Sequence, residues 1–267
     1  MIDIHHHCLP GVDDGPREMA DAVDLVAMAR DNGIETIVAT PHVLRGRWQN
    51  TSRPKLQALL DSLRERVGES PRLILGSEYF FAHDVNEVLR TNGGIIPLGN
   101  SRYVLVEFAT QAIPPLIEQP FYQMQLDGWT PIIAHPERND VFRAKPELLA
   151  RLISLGAKTQ ITCDSVTGHF GPEAERAALE WITSGLVHIM STDAHNIARR
   201  PPRVAAAIQR VREIAGAEIA EHLTRSNPAA VIEGRGLIWE PEPQMARSGG
   251  FLKRVWELFG HRENRSH

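Results

Sequence analysis

Hydrophobic and polar positions along the chain follow two alternating periods. Short runs of apolar and β-branched residues alternate with longer stretches in which apolar residues recur every three or four positions. The short runs predict buried strands and the longer stretches predict amphipathic helices. Strands are predicted at seven places along the chain, around residues 2–4, 35–40, 72–75, 103–106, 130–134, 159–163 and 187–191.

The helical stretches lie between and after these strands. The first begins near Pro16, because proline fits the first turn of a helix, and ends near Gly33. Further helices are predicted after Pro115 to about residue 127, and over residues 54–67, 83–91, 146–155, 172–184, 202–216, 219–224 and 227–233. Strands and helices that alternate with short connections are typical of an α/β protein with a parallel sheet.

Six of the seven predicted strands end in a histidine, aspartate or glutamate. In parallel barrels, functional groups gather at the C-terminal ends of the strands. A doubly wound open sheet fits the same alternation, but it would not bring so many strand ends to one point. The pattern therefore favours a barrel with a metal site at its mouth. The candidate ligands are His5, His7, Asp14, His42, Glu78, Glu107, His135, Asp193 and His195.

The first fifteen residues carry three of these candidates. His5 and His7 alternate along the first strand, so both side chains face the same way. A turn at Pro10-Gly11 then brings Asp14 back toward the end of the strand. Purification tags also contain consecutive histidines, but they usually carry six and lie outside the folded pattern. Imidazole together with carboxylate suits zinc, manganese or iron.

Composition excludes several classes of protein. The formal net charge of −4 argues against broad nucleic-acid binding. No apolar run is long enough to span a bilayer and no signal-peptide pattern is present, so a cytoplasmic location and no stable membrane insertion are expected. The two cysteines, Cys8 and Cys163, predict no disulfide framework. A thiol-based phosphatase needs an arginine six positions after its cysteine, whereas Asp14 and His169 stand there.

The composition changes near Leu237, which predicts one domain over residues 1–235 and a tail over residues 236–267. The tail contains a short amphipathic segment, residues 251–259. We expect this segment to pack on the barrel or on a second copy of the chain, so a homo-oligomer stays open. Attachment to a membrane surface is less favoured, because so short a basic helix binds weakly.

Nine candidate ligands are too many for one ion and suit three ions that share ligands. Clustered divalent ions bound by nitrogen and oxygen activate water, and they suit phosphate esters because charge must be neutralised on several oxygens. Arg138 and Arg200 follow His135 and His195 closely in sequence, so both guanidinium groups could bind phosphate at the same mouth. A surface ion pair is the alternative for either arginine.

The motifs resemble those of the PHP (polymerase and histidinol phosphatase) superfamily. Within it, they resemble the bacterial manganese-dependent protein-tyrosine phosphatases of capsule and exopolysaccharide operons. The resemblance covers about the first 235 residues and rests on residues 1–16, 39–42, 76–78, 105–107, 134–138, 160–171 and 191–196. It implies a distorted, TIM-like (β/α)7 barrel with three divalent metal ions, manganese in the first place and iron or zinc as alternatives.

The resemblance also implies how the residues share the ions. The first ion would be bound by His5, His7, Glu78 and Asp193. Glu78 would bridge to a second ion, which Glu107 and His135 complete, and Asp14, His42 and His195 would bind the third. Arg138 and Arg200 would be the catalytic phosphate-binding arginines. His6 departs from the family pattern, and by strand alternation it should point away from the metals.

The implied reaction is hydrolysis of phosphotyrosine on a protein, with the tail of a bacterial tyrosine kinase that controls polysaccharide export as substrate. In the loop after the second strand, Arg45, Arg47 and Trp48 could receive an acidic phosphopeptide, and an ordinary solvated loop is the equal alternative. One rival activity is a PHP phosphoesterase acting on histidinol phosphate or a nucleotide. An amidohydrolase is disfavoured because no lysine stands at a predicted strand end. A non-catalytic, metal-stabilised scaffold is the last alternative.

Overall fold

The computed structural model describes residues 1–244 and places nine parallel strands in two sheets. The strands are β1 (Ile2–His6), β2 (Thr36–Ala39), β3 (His42–Val43), β4 (Arg72–Leu75), β5 (Glu78–Phe80), β6 (Tyr103–Glu107), β7 (Thr130–Ala134), β8 (Lys158–Thr162) and β9 (Ile189–Ser191). One sheet has the order β1-β2-β4 and the other has the order β3-β5-β6-β7-β8-β9. All ladders between these strands are parallel, as the alternation of strands and helices predicts.

Helices connect these strands in the expected order. The structure adds three short helical segments that the periodicity did not predict. Pro136–Arg138 and Asp140–Ala144 follow the seventh strand, and Cys163–Val166 follows the eighth. In place of the helix predicted over residues 219–224 there is a short α-helix followed by a π-helical segment, His222–Ser226. The α-helices are α1 (Met19–Asp31), α2 (Arg53–Val67), α3 (Val85–Arg90), α4 (Glu118–Leu126), α5 (Asp140–Ala144), α6 (Pro146–Ser154), α7 (Cys163–Val166), α8 (Pro172–Thr183), α9 (Ala205–Ala215), α10 (Ala217–Glu221) and α11 (Asn227–Glu233).

Two short strands that were not predicted, β3 and β5, follow the second and the third predicted strands. Pro41 separates β2 from β3, because proline has no amide hydrogen for the ladder. Gly76 separates β4 from β5 and lies so close to Val38 that a Cβ atom would meet its side chain at 2.9 Å. The backbone nevertheless bridges the gap, since the amide of Gly76 donates to Ala39 and that of Glu78 donates to Pro41.

The outer strands of the two sheets meet on the other side. His6 and Ala194 form an isolated parallel bridge, and the amide of Asp193 donates to the carbonyl of His5 over 2.9 Å. The expectation of an α/β fold with parallel strands is therefore confirmed. Within residues 1–244 the two sheets meet at these seams, and no continuous ladder closes a barrel.

Two apolar clusters hold the strands and helices together. Neighbouring residues of β2 separate between them, because successive side chains of a strand point to opposite faces. Ile37 packs in the cluster that contains Leu25 of α1 and Leu60 of α2, whereas Val38 packs with Leu105 and other strand residues. The first cluster lies between the strands and the helices, and the second joins the strands to one another and to α11.

The end of the described chain also contacts this core. The backbone amide of Trp239 donates to the side chain of Asn227, and the Trp239 ring stacks on His222. The proposed boundary at residue 235 stays a prediction, and the amphipathic segment at 251–259 lies outside the described residues. In the part of the chain that the structure describes, no helix is long and apolar enough to cross a membrane.

Candidate metal centre

The structure brings all nine predicted ligands together at one end of the strands. Their donor atoms form four overlapping groups, and within each group every donor lies within 4.8 Å of the others. Eight of the nine side chains are buried, and Asp14 is the exposed one. The groups are His7-Asp14-His42-His195, His5-Glu78-His135, His5-His7-Asp193 and His42-Glu78-Glu107.

His5 and His7 are oriented by hydrogen bonds at their Nδ1 atoms. The Nδ1 atom of His5 lies 2.7 Å from Oε1 of Gln160, and that of His7 lies 2.8 Å from Oδ2 of Asp13. Gln160 donates its amide to the carbonyl of Ile161, so its oxygen is left as an acceptor. Both neutral rings therefore carry hydrogen on Nδ1 and a lone pair on Nε2.

The two Nε2 atoms of these rings lie only 3.2 Å apart. Two lone pairs at this distance repel each other unless a proton or a cation lies between or beside them. Asp193 and Glu78 carboxylate oxygens lie 3.2 Å and 3.3 Å from the Nε2 atom of His5. This donor set of imidazole nitrogens and carboxylate oxygens around one point fits a divalent ion.

The same histidines respond electrostatically to the carboxylates. Burial alone would lower the pKa of His5, but Glu78 and Asp193 outweigh it and raise the pKa. Burial would also lower the pKa of His7, but Asp13 outweighs it and holds this pKa well above its usual value. A metal ion must displace these protons, so we expect metal affinity to rise with pH.

The carboxylates divide into two kinds. Burial would raise the pKa of Asp193, yet Arg200 and His5 hold it well below the usual range. Burial and the neighbouring Glu78 raise the pKa of Glu107 to about 7. Two carboxylates of like charge in one buried site are favourable only when cations neutralise them.

Two candidate ligands adopt a left-handed backbone conformation that non-glycine residues rarely use. His135 has φ 34° and Asp193 has φ 54°. Hydrogen bonds from their amides hold both in place, that of His135 to the carbonyl of Gln160 and that of Asp193 to the carbonyl of His5. Strained conformations of this kind concentrate at functional sites, where the surrounding structure enforces them.

Asp14 completes the open side of the cluster. Its Oδ1 atom lies 3.3 Å from Nε2 of His42 and 3.3 Å from Nε2 of His195. Burial would raise the pKa of Asp14, but the neighbouring imidazoles of His195 and His42 lower it. Nε2 of His195 is buried without a hydrogen bond of good geometry, as expected of a donor that points at a shared ion.

The arrangement agrees with the expected grouping in part. Asp14, His42 and His195 lie together as the third group predicts, with His7 added. Glu78 lies between several histidines, as a bridging ligand would. How the donors divide among individual ions stays a prediction. His6 is buried, both of its ring nitrogens lack hydrogen bonds, and it belongs to none of the four groups.

Arg138 and Arg200 converge on one carboxylate of the cluster. Nη1 of Arg138 lies 2.5 Å from Oδ2 of Asp193, and Arg200 contacts the same oxygen. Phe170 packs against both guanidinium groups, with its ring centre 4.4 Å from Cζ of Arg138 and 5.8 Å from that of Arg200. The two positive charges are thus held beside the donor cluster, where they could bind a phosphate.

The loop after β3 covers the other side of the cluster. Nη1 of Arg45 lies 3.0 Å from Oε2 of Glu107, and the Trp48 ring stacks on His42 with centres 5.3 Å apart. Cζ of Arg47 lies over the Trp48 ring, 5.0 Å from the ring centre. Arg45 and Trp48 therefore touch candidate ligands, whereas Arg47 is further out.

Several side chains around the centre were not predicted to have a role. Asp13 and Gln160 orient His7 and His5, and Phe170 contacts the arginines. Glu137 is buried and accepts hydrogen bonds from Thr162 and Ser165, which ties the turn after β7 to the end of β8. Their only sequence signal was their place within the family-like segments, because their partners are distant in the chain.

Comparison with known proteins identifies the family. Residues 1–233 match the family described as capsular polysaccharide synthesis, CpsB/CapC. The chain belongs to this family. The resemblance inferred from the motifs is therefore confirmed.

Curated relatives match over most of their length. Tyrosine-protein phosphatase YwqE of Bacillus subtilis is 34% identical over 250 residues, covering 92% of this chain and 97% of YwqE. The putative tyrosine-protein phosphatase CapC of Staphylococcus aureus is 38% identical over 206 residues, covering 75% of this chain and 79% of CapC. Tyrosine-protein phosphatase CpsB of Streptococcus pneumoniae is 30% identical over 239 residues, covering 87% of this chain and 98% of CpsB.

Solved structures agree with the fold. One from the crystal structures of YwqE and CpsB, described as metal-dependent tyrosine phosphatases, superposes with a TM-score of 0.87 at 33% identity, covering 92% of this chain and 100% of that chain. A β-aspartyl dipeptidase from Fervidobacterium islandicum reaches a TM-score of 0.53 at 16% identity, covering 91% of this chain and 75% of that chain, and shows likeness of fold alone. The position of Lys158 bears on the amidohydrolase alternative. In the described chain this lysine lies at the start of β8 and pairs with Glu240, away from the candidate ligands at the strand ends.

Proposed function

We propose that this protein is a metal-dependent protein-tyrosine phosphatase of capsular or exopolysaccharide synthesis. The observation that carries the proposal is the convergence of Arg138 and Arg200 on Asp193, directly beside a buried cluster of imidazoles and carboxylates. Its relatives in the same family are named tyrosine-protein phosphatases, which supports the substrate class. The natural substrate we infer is the tyrosine-rich tail of a bacterial tyrosine kinase.

The metal ligands we propose are the nine side chains at the strand ends. Three ions shared among them, manganese first and iron or zinc otherwise, suit the number of donors and their overlap. When bound, such ions supply an acidic water at neutral pH and positive charge for the phosphate oxygens. We also propose that the two sheets together form a distorted seven-stranded barrel, which the hydrogen bonds at both seams support.

The chain's own residues would bind and orient the phosphate. Arg138 and Arg200 present guanidinium groups that can form paired hydrogen bonds with phosphate oxygens. These groups are three-quarters buried or more, so their charge is poorly screened by solvent. We assign both as catalytic residues that stabilise the charge developing on the phosphate in the transition state.

Arg45, Arg47 and Trp48 remain proposed substrate-binding residues. Trp48 and Arg45 lie against His42, so a polypeptide entering the site from this side would meet them first.

Tyrosinate leaves with a pKa of about 10, so a strong general acid is less necessary than for an alkyl phosphate.

Phosphate release from a phosphotyrosine peptide tests this function. Metal-stripped protein should be inactive, Mn²⁺ should restore turnover, and Arg138→Ala should lower kcat/KM about 10²- to 10³-fold, because a preorganised charge is lost. Arg66→Ala is the matched control, since Arg66 is exposed in the last turn of α2, away from the strand ends. Turnover of histidinol phosphate or a nucleotide with none of the peptide would refute the substrate assignment, and no activity with any metal would favour a scaffold.

A further inference from the structure

A cleft opens beside Asp14 and His195, at the edge of the candidate metal centre. It has a volume of about 470 Å³ and is continuous with the candidate metal centre, because these two candidate ligands form part of its wall. The remaining lining comes from two chain segments, the entry into α1 and the turn after β9. It consists of Gly15, Pro16, Arg17, Asp21, Asn196, Ile197 and Arg199.

The turn after β9 is held by the side chain of Asn196 and by two backbone hydrogen bonds to the carbonyl of Arg200. Oδ1 of Asn196 accepts hydrogen bonds from the amides of Ala198, Arg199 and Arg200, at 3.1, 2.7 and 3.3 Å. This turn directs Arg200 toward Asp193 and leaves Ile197 and Arg199 at the rim of the cleft. The same turn therefore carries a phosphate-binding arginine and the outer lining of the cleft.

The rim offers both apolar surface and positive charge. Ile197 is 47% exposed, one of few large apolar side chains so exposed in the described chain. Arg17 and Arg199 are exposed, and neither forms an ion pair within residues 1–244. Within the cleft, Asp14 is already paired with His42 and His195, which leaves Asp21 as the one opposing carboxylate.

Arginines therefore lie at two places around the mouth, although the whole chain carries a net charge of −4. Arg45 and Arg47 lie on the Trp48 side, and Arg17 and Arg199 lie on the cleft side. At the cleft, the two arginines without ion pairs can attract a group of negative charge on a substrate. The cleft adds an apolar contact that an isolated small phosphate ester would not need.

We propose that this cleft binds the polypeptide segment next to the phosphotyrosine, with an acidic residue at Arg17 or Arg199 and an apolar residue on Ile197. This inference rests on the proposed phosphatase function and deepens it, since it names a sequence preference of the substrate. Enzymes that meet their substrate only through the phosphate and the ring would show no such preference.

The test uses two substrates. One is an acidic phosphotyrosine peptide that has glutamates and a leucine around the tyrosine, and the other is p-nitrophenyl phosphate. The quantity measured is the ratio of kcat/KM for the peptide to kcat/KM for p-nitrophenyl phosphate. The Arg17→Glu/Arg199→Glu variant should lower the ratio of the two values about tenfold, because two favourable charge contacts become repulsive. Ile197→Ser should lower the ratio about threefold through lost apolar contact. A second peptide with glutamine in place of glutamate should show a smaller effect of the arginine substitutions.

The matched control is Arg66→Glu/Arg212→Glu. Both arginines are exposed and lie in the last turns of α2 and α9, which end away from the mouth because the helices run back against the strands. The control should leave the ratio unchanged. Circular dichroism would confirm that all variants fold.

The outcomes separate the two proposals. If wild-type protein with Mn²⁺ hydrolyses both substrates and the cleft variants leave the ratio unchanged, the cleft proposal is wrong and the phosphatase proposal stands. The cleft proposal is also wrong if the control lowers the ratio equally, since the effect would then be one of net charge. If wild-type protein hydrolyses neither substrate, the phosphatase proposal fails and the cleft proposal fails with it.

Discussion

At the scale of single residues, the centre depends on side chains that hold the proposed ligands in place. The side-chain nitrogen of Gln160 donates to the carbonyl of Ile161, which fixes the side chain, so its oxygen must accept a hydrogen bond from Nδ1 of His5. Asp13 does the same for His7 and adds a negative charge. Partners of this kind set which nitrogen of a histidine faces the metal and how basic that nitrogen is.

Replacing Gln160 tests this role directly. Gln160→Leu should weaken Mn²⁺ binding about 10- to 100-fold, because the His5 ring loses the acceptor that fixes its orientation. The measurement is a calorimetric titration of metal-stripped protein with Mn²⁺. Gln209→Leu, on the exposed face of α9, serves as the control. Equal affinities of Gln160→Leu and wild type would show that His5 needs no such support.

At the scale of elements, the turn between α7 and α8 places an aromatic ring on the arginines. Gly168 and Gly171 both have positive φ, at 80° and 91°, and only glycine adopts such angles at little cost. Phe170 lies between them and packs on Arg138 and Arg200. The turn thereby restricts both guanidinium groups and covers them from solvent.

Substitution of Phe170 should reveal this contribution. Phe170→Ala should lower kcat/KM for a phosphotyrosine peptide about fivefold to thirtyfold, since a partly desolvated cation–π contact is worth about 1 to 2 kcal/mol. Phe170→Tyr keeps the aromatic face and should retain most activity, whereas Phe170→Leu keeps bulk without it. Equal activity of the leucine and tyrosine variants would show that packing alone matters. Steady-state kinetics with Mn²⁺ held constant provides the comparison.

At the scale of the whole molecule, buried titratable groups tie stability to pH. His188 precedes β9, far from the candidate ligands, and its Nδ1 atom accepts a hydrogen bond from the amide of Thr159 over 3.2 Å. Burial, with Lys158 in support, lowers the pKa of His188 from 6.5 to about 3. The folded state therefore does not bind the proton that His188 takes up in the unfolded chain below pH 6.5. The contribution of His188 to the free energy of unfolding is complete above that pH and is lost as the pH falls toward 3.

This linkage predicts a difference between wild type and His188→Gln, which keeps an acceptor but does not titrate. Between pH 7 and pH 5 the wild type should lose about 2 kcal/mol more in free energy of unfolding than the variant does, at about 1.4 kcal/mol per pH unit below 6.5. Urea denaturation of metal-stripped protein at both pH values provides the measurement. Parallel losses would mean that His188 is not the group responsible.

Much of the fold could be predicted from the chain alone. The seven predicted strands all exist, because the period of apolar residues encodes which face of each element is buried. The points at which strands are interrupted depend on more than the local sequence. Pro41 and Gly76 interrupt the strands for reasons of backbone pairing and close packing that only the neighbouring strand supplies. The short helices after β7 and β8 were missed because they contain too few residues to show a period.

For the candidate centre, too, part could be predicted from the sequence and part could not. The sequence by itself determined which residue types stand at the strand ends, and parallel strands must present those ends together. Only the tertiary structure decided which side chains meet. Gln160 reaches His5 across 155 residues of chain, and Phe170 reaches Arg138 through a turn from another strand. The physical reason is that strand order, register and the path of each turn set these contacts, and none of the three is written in a local pattern.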